Sequence, residues 1–210
     1  MKRLLVMVAT CALALGAPIT ALAGQPNKVD PALMEPALNP AFAPWDCWRT
    51  ANSIICEAAV SESYSGLEVD FLACDVGQIY SAGTFASTAR RVGDAQGRAL
   101  KTTFRESYLE WFTADPDGSG LALRSTGQRH NLFEYSVAGD PSTATLSTIG
   151  VEIRVTGPGL GVLLQDVGYR TWDSEGQLLK FAGSHITAES FAESHDRICG
   201  AFEQEAERPG

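Results

Sequence analysis

From Thr145 to Val155 the chain alternates. Ile149, Val151, Ile153 and Val155 are branched and apolar, while Thr148, Glu152, Arg154 and Thr156 are polar. Period two places the two sets on opposite faces of a strand, one for a core and one for water. Phe133, Tyr135 and Val137 alternate with Leu132, Glu134 and Ser136 in the same way. Turn signals separate such runs: Gly93-Asp94-Ala95-Gln96-Gly97, Asp115-Pro116-Asp117-Gly118, Gly139-Asp140-Pro141, Gly157-Pro158-Gly159 and Asp173-Ser174-Glu175-Gly176. Each supplies proline, aspartate or a glycine free to adopt positive φ, as hairpin connections require. The stretch from Asp75 to Gly183 therefore predicts an antiparallel meander, with no helix inside it and no βαβ unit.

The first long run, Val76 to Val92, contains Gly83, and a glycine inside a strand marks a bulge or a sharp bend. Its partner, Arg98 to Thr113, sets Leu100, Phe104, Tyr108 and Phe112 on one face, together with Glu106 and Glu110. A dry core does not tolerate two carboxylates. Either a bulge near Ser107 shifts the register and turns Leu109 and Trp111 inward, or the carboxylates line a polar cavity; the bulge is the favoured reading. As an acid–base pair they stand far apart, because four residues along a strand separate them by roughly 13 Å.

Outside this region the pattern changes. Residues 1–23 open with Lys2 and Arg3, continue through an apolar stretch from Leu4 to Leu15 and close at Ala21-Leu22-Ala23, which is the design of a secretory signal peptide cleaved before Gly24. The apolar core is too short for a comfortable membrane span, and no later segment is apolar enough for one. Residues 24–45 form a proline-rich lead-in, with prolines at 26, 31, 36, 40 and 44. It is expected to be a tether or a surface strap, although Leu33, Met34, Leu38 and Phe42 could cover a groove. Residues 46–204 make a single β domain that ends in a helix, and 205–210 a tail. The helix is read from a capping box at Ser190-x-x-Glu193 and from Phe191, Ile198, Cys199 and Phe202 on one face.

Export changes how the cysteines are read. Of five, Cys11 leaves with the leader, and Cys47, Cys56, Cys74 and Cys199 remain. An even number in an oxidising compartment predicts disulfides, with three possible connectivities. Cys47–Cys56 across a short hairpin, with Cys74–Cys199 fastening the helix to the β region, is the favoured one. Charge also narrows the function. Removing Lys2 and Arg3 leaves 14 basic residues against 25 acidic ones, a net charge of −11. Such a chain is repelled by nucleic-acid phosphates and has no basic cluster to overcome that, so no nucleic-acid partner is expected.

The order Cys74, Gly83-Thr84, Arg90-Arg91, Asp94-Ala95-Gln96-Gly97-Arg98-Ala99-Leu100-Lys101, Gly161-Val162-Leu163-Leu164-Gln165-Asp166-Val167-Gly168, Asp173-Ser174-Glu175-Gly176-Gln177-Leu178-Leu179, Ala182-Gly183-Ser184-His185 and Ile198-Cys199 resembles a family of small secreted β-rich proteins of actinobacterial type whose function is unknown. The resemblance covers roughly residues 70–202. It implies an exported β architecture with a terminal cysteine near a short helix, and no mechanism.

Candidate chemistry then rests on single residues. Asp115-Pro116-Asp117-Gly118-Ser119-Gly120 matches the first half of a calcium loop, but Leu123 and Thr126 stand at the ninth and twelfth positions and no helix flanks it, so it reads as a turn. Gly157-Pro158-Gly159-Leu160-Gly161 lies between strands and opens no helix, so it reads as a hairpin turn and not as a phosphate cradle. No metal and no cofactor are expected. No Gly-x-Ser-x-Gly elbow exists and the cysteines are oxidised, so no nucleophile–histidine pair suggests itself. His195 reads as a solvated helix residue, His185 as a strand-end group bonding a carbonyl, and His130 as the histidine that faces a cavity.

The pattern as a whole predicts an all-β fold: an antiparallel β-barrel of about eight strands, lipocalin-like or allene-oxide-cyclase-like in outline, closed by the C-terminal helix, or else a bent β-sandwich. The leading function is a secreted binder of a small apolar or amphipathic molecule, with Tyr108, Phe133, Tyr135, Tyr169, Glu106, Glu110 and His130 as candidate contacts. A non-catalytic surface module with protein or glycan partners is the alternative. A cyclase- or isomerase-type barrel enzyme using Glu106, Glu110 or His130 comes third.

Overall fold

Residues 27–207 are described by the computed structural model; the leader expected at 1–23 lies outside them. The strands are β1 (Asn27–Lys28), β2 (Asp46–Arg49), β3 (Ser53–Cys74), β4 (Gly77–Asp94), β5 (Ala99–Thr113), β6 (Leu123–Tyr135), β7 (Ala144–Gly157), β8 (Gly161–Trp172) and β9 (Leu178–Ser184), followed by helix α1 (Ala188–Ala206). Every strand pairs antiparallel with its neighbours in sequence, so one nine-stranded sheet runs in the order β1 to β9. The meander and all five turns stand where the alternation and the glycine–proline signals place them. The barrel does not form. Among the described residues the ladder ends at β1 and β9 without joining them. Closure needs a long ladder between the first and last strands, and here β1 has two residues and β9 seven.

Cross-strand partners project to the same face and alternate along each strand. One face carries Phe112, Leu123, Val155 and Leu164 from β5 to β8, which cluster with Val69, Leu72 and Ile79 and with Ile198 and Phe202 of α1. The helix packs against both β3 and β8, with Arg197 donating to the Val162 carbonyl at 2.7 Å. It begins three residues earlier than the sequence suggests. Thr187 is the N-cap and shares a reciprocal capping box with Ser190, and the helix runs on through Ala206, into the expected tail.

At the other end of the same face a second cluster holds Met34, Cys47, Ile54 and Cys56, with Val29, Leu38 and Trp45 packed against it. Here the lead-in is structure and not tether: Met34 is 2% and Phe42 7% exposed. Phe42 packs at a tilt against Phe104, Phe104 meets Phe133 edge-to-face, and the Arg91 guanidinium donates to the Pro36 carbonyl. Both disulfides have the favoured connectivity: Cys47–Cys56, a directly opposed pair on β2 and β3, and Cys74–Cys199, which ties β3 to α1.

Two further expectations are corrected. β5 pairs with β6 from Lys101 to Phe112 without a register shift, so no bulge forms near Ser107. Glu106 and Glu110 stay on the face of Phe104, Tyr108 and Phe112, and Trp111 points away, 42% exposed. The bulge lies in β7 instead, between Val151 and Ile153. It splits the apolar run: Ile153 and Val155 turn to the core, while Ile149, 54% exposed, and Val151 turn to the other face. Gly150 and Gly168 are direct partners beside this bulge, with φ 131° and 149°. A Cβ at either would lie 2.2 or 2.1 Å from a neighbouring carbonyl oxygen, so only glycine lets the strands approach this closely as the sheet bends.

Candidate ligand-binding site

On the face opposite the two apolar clusters, Ala59, Thr88, Arg105, His130 and Ile149 are successive register partners across β3 to β7. One step along, Ser61, Ala86, Ser107, Gln128 and Val151 form a second row. Alanine and serine leave a depression that bulkier strand residues would fill. A cavity of about 800 Å³ lies over these two rows. A second, of about 790 Å³, continues toward Pro44 and Asp46. The two share Ala59, Thr88, Arg105 and His130, the first four members of one row, so they form a single trough across the sheet. Both volumes fall in the range of small-molecule sites.

The opposite face is polar between its apolar ends. Arg129 pairs with both Glu106 and Glu152, the bulged residue of β7. Asn131 Nδ2 donates to Glu106 Oε2 at 3.0 Å, and Asn131 Oδ1 accepts from Thr148 Oγ1 at 2.7 Å. Burial disfavours the Arg129 charge, but the hydrogen bonds and charges of the two carboxylates outweigh it and hold the guanidinium above its usual range. The Tyr108 hydroxyl donates to the Glu152 carbonyl at 2.8 Å. Burial pushes its phenol up to about 12. Tyr64 donates to Glu110, and burial together with that carboxylate pushes its phenol higher still. The two carboxylates that seemed out of place on a core face are thus answered by specific partners.

Of the residues singled out in the sequence, His130 lines both cavities. Glu106 lines the first through its backbone strand, its carboxylate being held on the opposite face. Tyr108, Glu110, Phe133 and Tyr135 also belong to that opposite face, away from the trough. Tyr169 continues the trough row one strand past Ile149, outside the cavity lining; hydrogen bonds with Ser147 and Thr171 lower its phenol. The sequence reading missed Arg105 and the small residues of β3 and β4, whose signal was the lack of bulky side chains in Ala58-Ala59-Val60-Ser61 and Ala86-Ser87-Thr88.

Buried Asp166 pairs with Arg170 and meets His185 Nδ1 at 2.8 Å, but His185 Nε2 faces the Ala182 carbonyl at 3.1 Å. Neither ring nitrogen is left to act on a substrate. His195 lies against Asp196 at 3.6 Å on the helix surface. Among the described residues no three His, Cys, Asp or Glu side chains converge as metal ligands, and no helix is long and apolar enough to cross a membrane. The Asp115–Gly120 segment is closed on itself, with Ser119 donating from its amide to Asp117 and from its hydroxyl to Asp115. No family model, no curated protein and no solved structure matches this chain.

Proposed function

We propose that this chain is an exported, non-catalytic protein that holds a small apolar or amphipathic molecule in the trough over β3 to β7. The observation that carries this reading is the pair of adjoining cavities of about 800 and 790 Å³ meeting along one cross-strand row. The surface of the trough mixes exposed apolar groups, above all Ile149, with a few polar ones, the composition that orients a ligand without reacting with it. Export is supported by the two disulfides and by the leader-like start. Native mass spectrometry of the protein purified from its own host tests the reading: a retained small molecule, released on unfolding, is expected. Protein that carries nothing, and binds no uncharged apolar probe, overturns it.

A surface interaction module has one observation of its own. Among the described residues no strand pairs with the outer edge of β9, and its Leu178, Leu179 and Phe181 are 49%, 59% and 62% exposed. Such an edge is a template for strand addition. Concentration-dependent sedimentation that vanishes when Leu179 is changed to Lys would favour that reading.

A further inference from the structure

The charges of the trough describe its ligand more closely, and this step rests on the binding reading above. The charged side chains that line the trough from its own face are Asp46, Glu57, Arg90, Lys101 and Arg105. Arg90 pairs with Glu57 at 3.4 Å, Asp46 with Lys28, and Lys101 with Glu134 at 4.0 Å. The Arg105 side chain is exposed and has no ion-pair or hydrogen-bond partner among the described residues. Its direct cross-strand neighbour is His130, whose Nε2 is buried without a partner. Both stand on the row that the two cavities share.

We infer that the trough takes an amphipathic molecule bearing a carboxylate, received by Arg105. Directly opposed strand residues have Cβ atoms about 5 Å apart, so the His130 ring forms part of the trough floor beside the guanidinium. The guanidinium offers two parallel N–H donors that match the two oxygens of a carboxylate. Ala59, Ala86, Ile149 and Val151 lie next to the pair and face the apolar part. The net charge of −11 that remains without Lys2 and Arg3 does not forbid an anion here. Charges farther off than about 8 Å are screened at physiological ionic strength, so the nearest cation decides.

Calorimetric titration of the full chain with dodecanoate and with dodecanol separates the anionic contact from the apolar one. Dodecanoate is expected to bind at least about tenfold tighter than dodecanol. Arg105→Gln is expected to abolish that margin, and Lys180→Gln, on β9 outside the trough, to preserve it. Equal affinities, or a margin that survives Arg105→Gln, overturn the carboxylate assignment while leaving a binding trough. If neither probe binds but host-purified protein retains an uncharged molecule, the carboxylate falls and the trough stands. If neither binds and nothing is retained, both fall.

Discussion

The ring of Tyr108 on β5 lies directly over Gly127 on β6: a Cβ added to Gly127 would stand 2.1 Å from Tyr108 Cε1 and 2.8 Å from the Glu152 carbonyl oxygen. The phenol crosses β6 at this one residue without a side chain and donates to Glu152 on β7 at 2.8 Å. Gly127→Ala must push the ring aside and break that bond. A destabilisation of about 1–3 kcal/mol is expected in urea melts. In a Tyr108→Ala background the same change should cost markedly less, because the ring that it strikes is gone. Equal costs in both backgrounds would refute this account.

The same burial sets the alkaline behaviour. With its folded pKa up to about 12, the Tyr108 phenol stays neutral in the folded state after an unfolded tyrosine ionises near 10. Its contribution to stability is therefore whole below about pH 10 and is lost as pH rises toward 12. Tyr64 is raised as well, and Tyr169 is lowered by hydrogen bonds with Ser147 and Thr171. Tyrosinate absorbance of the folded protein should thus rise in spread steps, Tyr169 first and Tyr108 and Tyr64 late. Tyr108→Phe should remove a late step; removal of an early step instead would contradict the assignment.

Arg129 holds Glu106 and Glu152 together, so its loss leaves two carboxylates without the cation between them. The three side chains are 34%, 15% and 36% exposed. Solvent therefore screens the effect below that of a fully buried pair, and Arg129→Met is expected to cost about 1–2 kcal/mol. Adding Glu106→Gln to that variant should recover part of the loss by removing one of the opposed charges. Chemical denaturation of the four members of this cycle gives the coupling. A coupling of zero would mean that the three groups merely lie close together.

Much of the fold was legible because turns and alternation are local. Every hairpin from β4 to β9 was announced by its glycine, proline or aspartate, and the helix by its stripe. β3 escaped, since Ala58-Ala59 and Ser61-Glu62-Ser63 have weak strand preference and its 22 residues are held by pairing with β4, not by their own pattern. The β7 bulge escaped because period two continues unbroken in the sequence while the extra residue, Glu152, is accommodated only by partners on β6 and β8. The trough was hidden for a related reason. Its floor is defined by small residues from several strands, and an alanine announces neither its face nor the emptiness above it. Of the seven candidate contacts only His130 has its side chain on that floor. Aromatic side chains often contact apolar ligands, but Tyr108 and Phe133 serve the packing of the other face.

The two disulfides should differ in what they stabilise. Cys47–Cys56 closes a sequence separation of 9 and Cys74–Cys199 one of 125. By chain entropy alone the first contributes about 2.6 kcal/mol and the second about 5 kcal/mol. Their structural roles diverge as well. Cys47 and Cys56 belong to the lead-in cluster, whereas Cys199 anchors α1, whose Ile198 and Phe202 are 1% and 3% exposed in the main core. Replacing Cys74 and Cys199 by Ala should therefore lower stability more and release α1, seen as faster amide exchange along 188–206 while the sheet amides of β4 to β7 remain protected. Replacing Cys47 and Cys56 by Ala should instead speed exchange in 27–49 and leave the helix slow. If the long-range pair proved the cheaper one to remove, packing alone would suffice to hold the helix, and the entropic account of its tether would fail.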